Sequence, residues 1–245
     1  MALTWSRLLI ILNSSALFFS LALVGLSPAI LYLISHGMHR MNKEWPQGYY
    51  EWYRGPSWDM DTLHKVKLMY DSSNDYMLFA AGAVGVVTGI VGIVGFFLTR
   101  QTSKPSAQKA TLFLQVLPSS ATFLVTFIAF LFTQIVYDSD NRGKCDWTQG
   151  YNPQNVFRCT REQAACGIVP YFTMPKRAED IEPMIAAKQD ICGATQTGRH
   201  LVAPLFVASV LFCGFAVGKL LVEKRESRFV ESADERVDRL ERQEE

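Results

Sequence analysis

Four of the chain's five cysteines, Cys145, Cys159, Cys166 and Cys192, fall in one polar stretch between the last two long apolar runs. Thiols gathered this way serve disulfide bonding or metal ligation. No Cys-x-x-Cys pair occurs, so they read as disulfide partners, and no metal is expected. Four such cysteines allow three connectivities. A nested arrangement, Cys145–Cys192 around Cys159–Cys166, would tie the two ends of the stretch together. Closing the larger loop would add about 4 kcal/mol by chain entropy. The stretch is poor in large apolar residues (Trp147, Phe157, Tyr171 and Phe172 among them), so staples would replace a core it cannot build. Disulfides imply an oxidising compartment, which places residues 138–199 outside the cytosol.

Other chemistry-bearing residues form weaker patterns. His36 and His39 are spaced i,i+3, and His200 lies at a matching level of another run. With no carboxylate placed beside them, they read as interfacial histidines. Glu179, Asp180 and Glu182 read as the acidic start of a helix. No phosphate-binding glycine loop or nucleophile elbow occurs. Pumps and intramembrane hydrolases need ionisable groups inside their spans, and the apolar runs contain none. The expectation is a non-catalytic protein with no nucleic-acid partner.

The elements that must position the cysteines are these runs. The chain has 245 residues, is 49% apolar and 19% charged, and has a formal net charge of +1. That bland average hides four stretches free of acidic and basic side chains: 8–35, 76–99, 110–137 and 201–218. Each reaches or approaches the roughly 20 residues that cross a bilayer core as helix. The first is too long for a signal-peptide core and no A-x-A-like site follows it, so it too is a span. The predicted order is a cytosolic N-terminus 1–7, span one 8–35, an outer loop 36–75 and span two 76–99. A cytosolic linker 100–109, span three 110–137, the large outer loop 138–199, span four 200–222 and a charged cytosolic tail 223–245 follow. The linker holds Arg100, Lys104 and Lys109 with no acid, and Lys219, Lys224, Arg225 and Arg228 follow the fourth run. The outer loops mix signs nearly evenly. Basic ends face the cytosol, so both termini are expected there, in the plasma membrane or an endomembrane.

Within the spans, Asn13, Gln115 and Gln134 are the polar residues that must find partners, because lipid offers none. The sequon at Asn13 lies inside a span and is spurious. Gly82, Gly85, Gly89 and Gly92 follow a 3-4-3 spacing that puts them on one face of span two, with Gly95 beyond. Such a face admits a close neighbour, expected to be span one. Gly214 and Gly218 form a similar pair in span four, and Pro118 with Ser119 and Ser120 is expected to kink span three. In the first outer loop, Trp45, Tyr49, Tyr50, Trp52, Tyr53 and Trp58 read as an interfacial belt or a cap on the second loop. Leu63, Val66 and Tyr70 fit a short amphipathic helix with Asp59 or Asp61 as N-cap. In the tail, Val230, Ala233, Val237 and Leu240 repeat as a-d-a-d, and Glu235/Arg239 and Asp238/Arg242 are favourable i,i+4 pairs. Two heptads make a solvated helix, or a docking site for a cytosolic partner at 223–245.

This pattern resembles the tetraspanin family. The likeness is carried by four spans, a smaller first loop and a larger cysteine-bearing second loop. In span one Asn13, Phe18-Phe19 and Gly25 match the family's opening helix. The ending Gly92-Ile-Val-Gly95-Phe-Phe-Leu-Thr-Arg100 matches its glycine-lined second helix, and Gln134 stands where the third often carries a polar residue. The Cys-Cys-Gly triplet is replaced by Ala165-Cys166-Gly167 and Ile191-Cys192-Gly193, the first loop is long for the family, and Cys213 is the single cysteine near the cytosolic level. The fold implied is an all-α membrane protein, a four-transmembrane-helix bundle with a disulfide-stapled extracytoplasmic loop domain. The function implied is a scaffold that binds other integral membrane proteins laterally and can hold membrane lipid or sterol between its helices. The alternatives are a claudin-like or MARVEL-like four-span protein, and a small transporter or channel accessory subunit with a polar path through Asn13, Gln115 and Gln134.

Overall fold

In a computed structural model, the structure describes residues 2–52, 64–101, 105–139, 145, 156–169, 172 and 181–244. They are mostly helical. Helix α1 is Ala2–Glu44, α2 is Ser73–Gln101, α3 is Pro105–Ser139 and α5 is Ile181–Glu244; the short α4, Arg161–Gln163, runs into a π-helical turn, Ala164–Ile168. The four long helices are each long and apolar enough to cross a membrane, over Arg7–Glu44, Ser73–Thr99, Leu114–Asp138 and Met184–Val222. All four helices outrun the charge-free stretches, because absence of charge reports hydrocarbon thickness whereas helix continues as long as its hydrogen bonds are met. Pro118 lies inside α3 without ending it, and the hydroxyls of Ser119 and Ser120 donate to the Val116 carbonyl at 2.9 Å each.

The all-α expectation is corrected by a three-stranded sheet, ordered β1-β2-β3: β1 Gly48–Trp52, β2 His64–Tyr70 and β3 Val156–Cys159. The amphipathic helix expected at 61–70 is therefore a strand over its described part. Val66, Leu68 and Tyr70 are buried while Lys65 is exposed and Lys67 and Met69 are half-buried, a period of two. Strands β1 and β2 are antiparallel, with Tyr50 opposite Val66. Strand β3 runs parallel to β2, with Leu68 opposite Phe157 and Tyr70 opposite Cys159. Expectations resting on Tyr53, Trp58, Asp59, Asp61, Leu63, Trp147, Tyr171, Glu179 and Asp180 lie outside the described residues. So do the side chains of the tail beyond Arg225, although its backbone is helical to Glu244.

The chain divides into two compact units. The first comprises Met1–Val24, Gly85–Leu124 and Val207–Glu245, and the second Gly25–Val84 and Val125–Phe206.

In the first unit, α2 presses its glycine face on α1. A Cβ added at Gly89 would lie 2.6 Å from Val24 Cγ2 and 2.9 Å from the Ser20 carbonyl oxygen, and one at Gly92 would strike the Ser20 hydroxyl and lie 2.8 Å from the Phe212 ring. Gly95 admits the buried Gln115 in the same way, at 2.6 Å from its amide nitrogen. Gly85 is buried, Gly218 lies 3.7 Å from Leu12, and Asn13 is half-buried. Gly214 is exposed with open space around it, so it is no packing position. Thr88 and Thr122 share a 2.5 Å hydroxyl hydrogen bond, and Phe19 stacks on Phe215 at 5.6 Å. Lys219, expected at the cytosolic flank, is buried and donates to the Thr99 hydroxyl at 3.5 Å.

These contacts predict opposite outcomes for two identical substitutions. Alanine gains about 1 kcal/mol over glycine in a helix interior, while forcing a methyl into a filled contact costs about 1–3 kcal/mol. At Gly89 the opposing atoms include backbone, so Gly89→Ala is expected to destabilise by about 1 kcal/mol or more. At Gly214 only the propensity gain applies, so Gly214→Ala is expected to be neutral or stabilising. Denaturant titration of both full-length variants in mixed micelles reads the difference. A Gly89→Ala protein as stable as Gly214→Ala would refute the close approach.

Candidate functional site

The second unit contains the residues singled out for chemistry. Its core draws on both segments 36–75 and 138–199: Met41, Trp45, Val66, Leu68, Phe157, Ile168 and Ile191 are all almost fully buried. Tyr50 stacks on Phe172 with ring centres 4.6 Å apart. The Tyr70 hydroxyl donates to the Trp45 carbonyl at 2.6 Å, and burial pushes its ionisation far above the ordinary tyrosine range. Tyr50 is raised by burial too, and its hydroxyl donates to the Pro46 carbonyl at 2.5 Å. Of the expected aromatic cap, Trp45 thus belongs to the core and Tyr50 packs against it, whereas Tyr49 is 74% exposed.

Two disulfides close this unit. Cys145 pairs with Cys159 and Cys166 with Cys192, at separations of 14 and 26 residues. The connectivity is sequential, and the nested alternative is not formed. The first bond anchors the end of β3 and the second joins the π-helical turn to α5. Cys213 is a free thiol 3.7 Å from the Ser120 hydroxyl, in the first unit.

Between the disulfides lies a buried polar cluster. Thr160 caps α4 by accepting from the Gln163 amide at 3.3 Å, which fixes the two residues between them. Arg161 pairs with the Asp75 carboxylate, donates to Ser72 Oγ at 3.0 Å and Asn42 Oδ1 at 3.3 Å, and has its guanidinium 5.2 Å from the centre of the Tyr70 ring. Glu162 points to α5, where Arg199 Nε donates to both its oxygens at 3.0 Å. The Arg199 guanidinium lies 3.9 Å from the centre of the Tyr137 ring. All four charged side chains are buried, and their charges cancel. Burial drives the Glu162 carboxyl upward from its ordinary range, against the pull of Arg199. Two adjacent residues thereby tie together side chains from α1, α2 and α5, and Arg199 carries the link on to Tyr137 of α3. Both carboxylates are engaged by guanidinium groups, so the arrangement can clamp helices.

A second polar group lies at α1 and α5. His36 Nε2 is 2.9 Å from Asp190 Oδ2, Arg40 Nε is 4.0 Å from the same oxygen, and the Tyr32 ring stacks on His36 at 5.8 Å. Tyr32, His36 and Asp190 edge a groove of about 320 Å³ that also meets Gly193 and Thr197. Here α1 and α5 approach through glycines that sequence reasoning did not single out. Gly37 would meet Thr195 at 2.7 Å and Gly198 would meet Ile34 at 2.8 Å, while Gly82 would meet Leu31 at 2.9 Å. His39 and His200 are exposed, and among the described residues no group of three or more metal-ligating side chains forms. Gln134 is exposed on α3, so it lines no interior path.

No protein-family model matches this chain, and neither the curated proteins nor the solved structures contain a match.

Proposed function

We propose that this protein is a tetraspanin-like membrane organiser. Its four long helices form one bundle in a plasma or internal membrane, both termini face the cytosol, and the disulfide-closed unit faces outward to bind other integral membrane proteins laterally. The supporting observation is the buried quartet Asp75–Arg161–Glu162–Arg199. Its charged side chains are spent on holding helices and loop together, which produces a rigid recognition surface and leaves no reactive pair. Oxidised Cys145, Cys159, Cys166 and Cys192 suit an extracytoplasmic side. The outward-facing Gln134 weighs against the transporter alternative, whose path would need it inside. Sterol is the lipid such a bundle would hold.

The test is extraction at native expression in a mild detergent, with the full chain captured by a C-terminal tag. Defined integral membrane proteins should co-purify reproducibly and be lost in a harsher detergent. Recovery of the lone chain would defeat the organiser reading.

A further inference from the structure

The sheet turns one face to the core and the other outward, and the outward face has its own chemistry. Alternate residues of a strand share a face. The register sets Tyr49 opposite Lys67 and Glu51 opposite Lys65, and Met69 opposite Arg158. The face away from Val66, Leu68 and Phe157 therefore presents Lys65, Lys67 and Arg158 against one carboxylate, Glu51. Lys65, Arg158 and Glu51 are exposed and Lys67 is half-buried. The Lys67 ammonium lies 5.9 Å from the centre of the exposed Tyr49 ring. At the β1 side a depression of about 450 Å³ is lined by Tyr49, Tyr50, Glu51 and Lys65.

The unit's other arginines among the described residues point to acids of their own chain: Arg161 to Asp75, Arg199 to Glu162 and Arg40 to Asp190. Among the described residues, no carboxylate lies within ion-pair distance of Lys65, Lys67 or Arg158. Their platform is firm, because the residues beneath are fully buried and β3 ends in the Cys145–Cys159 bond. A preorganised positive face loses little freedom when it binds.

We propose that this face docks an acidic, extended segment of a partner membrane protein, a proposal that rests on the organiser reading above. Side chains on one face of an extended chain repeat about every 6.7 Å, the same repeat that separates Lys65 from Lys67 on β2. Alternating acids on such a segment meet these cations in turn, and the Tyr49 ring, opposite Lys67, offers an apolar platform beside them. Glu51 repels an acid placed at the β1 edge, which fixes the direction of approach.

The full chain in nanodiscs of zwitterionic phospholipid tests this with three probes. These are a labelled peptide of alternating Glu and Thr, a peptide of the same composition with its Glu residues in one block, and sulfated dextran. The alternating peptide should bind at least about threefold tighter than the block peptide. Lys65→Glu/Lys67→Glu should weaken it at least about tenfold, and Lys65→Gln/Lys67→Gln, which adds no repulsion beside Glu51, should weaken it by less. Tyr49→Ala should weaken it severalfold while leaving the salt dependence unchanged. Unchanged affinity in both lysine variants, or equal binding of the two peptides, would overturn the proposal. Binding of sulfated dextran alone would overturn it in favour of a polysaccharide surface. Co-purification of integral proteins separates the two readings. If it persists while the alternating peptide fails to bind, only this face is wrong; if it fails too, the organiser reading falls with it.

Discussion

Arg161→Met is expected to lower the stability of the second unit by about 3–5 kcal/mol, the usual consequence of stranding one member of a buried ion pair. The substitution keeps much of the side chain's volume, so the loss is electrostatic. Asp75 would stay buried without its counter-charge, Ser72 and Asn42 would lose a donor, and the Tyr70 ring would lose its cation. Pairing Arg161→Met with Asp75→Leu should recover most of the deficit, because two apolar groups replace the pair without leaving a charge behind. Arg199→Met should likewise strand Glu162, whose carboxyl burial already raises, so that protonation offers it an escape. A carboxyl raised in the folded state favours folding below its unfolded value and loses that benefit as pH rises through the folded value. The Arg199→Met deficit should therefore shrink as pH falls. Denaturant unfolding of the full chain in detergent, followed by near-UV dichroism, measures each case. An Arg161→Met protein within about 1 kcal/mol of the parent would show that the pair is replaceable by solvent.

This cluster was invisible in the sequence for a physical reason. Asp75 and Arg161 are 86 residues apart and Glu162 and Arg199 are 37 apart, so neither pair leaves a periodic trace. What was legible depends on local repetition. The four charge-free stretches marked four membrane-length helices, and the cysteines marked disulfide chemistry but not which partner each would take. The spacing of Gly89 and Gly92 pointed to span one, and Ser20 and Val24 are indeed the residues they meet. Gly214 and Gln134 show where spacing fails, since a residue type says that a helix face is small or polar but not which way it turns. Strand β2 shows a different failure. Leu63, Val66 and Tyr70 fit a helical period while Val66, Leu68 and Tyr70 fit a strand, and a stretch this short supports both. The deciding term was tertiary: β1 and β3 supply hydrogen-bond partners on either side, and β3 lies far along the chain.

Replacing Cys166 and Cys192 together by serine is expected to cost about 3.5 kcal/mol, against about 3 kcal/mol for Cys145 and Cys159, from the closed loops of 26 and 14 residues. Packing adds to both values: Cys145 and Cys159 belong to the buried core, while Cys192 borders it and the turn holding Cys166 also buries Ala164, Ala165 and Ile168. Non-reducing peptide mapping should first recover Cys145–Cys159 and Cys166–Cys192; a Cys145–Cys192 peptide would overturn the sequential pairing. The two serine double variants are then unfolded under matched conditions. A Cys166/Cys192 variant that loses less than about 1 kcal/mol would mean that non-covalent contacts alone hold the turn on α5. The Glu162–Arg199 pair makes a parallel link between the same two elements. With one link in place the other closes only a short path, so the cost of losing both should exceed the sum of the separate costs. A double-mutant cycle combining the serine pair with Arg199→Met reads that coupling, expected above about 0.5 kcal/mol. Strict additivity would mean that bond and ion pair stabilise separate parts of the unit, and that α4 and the turn do not act as one clamp.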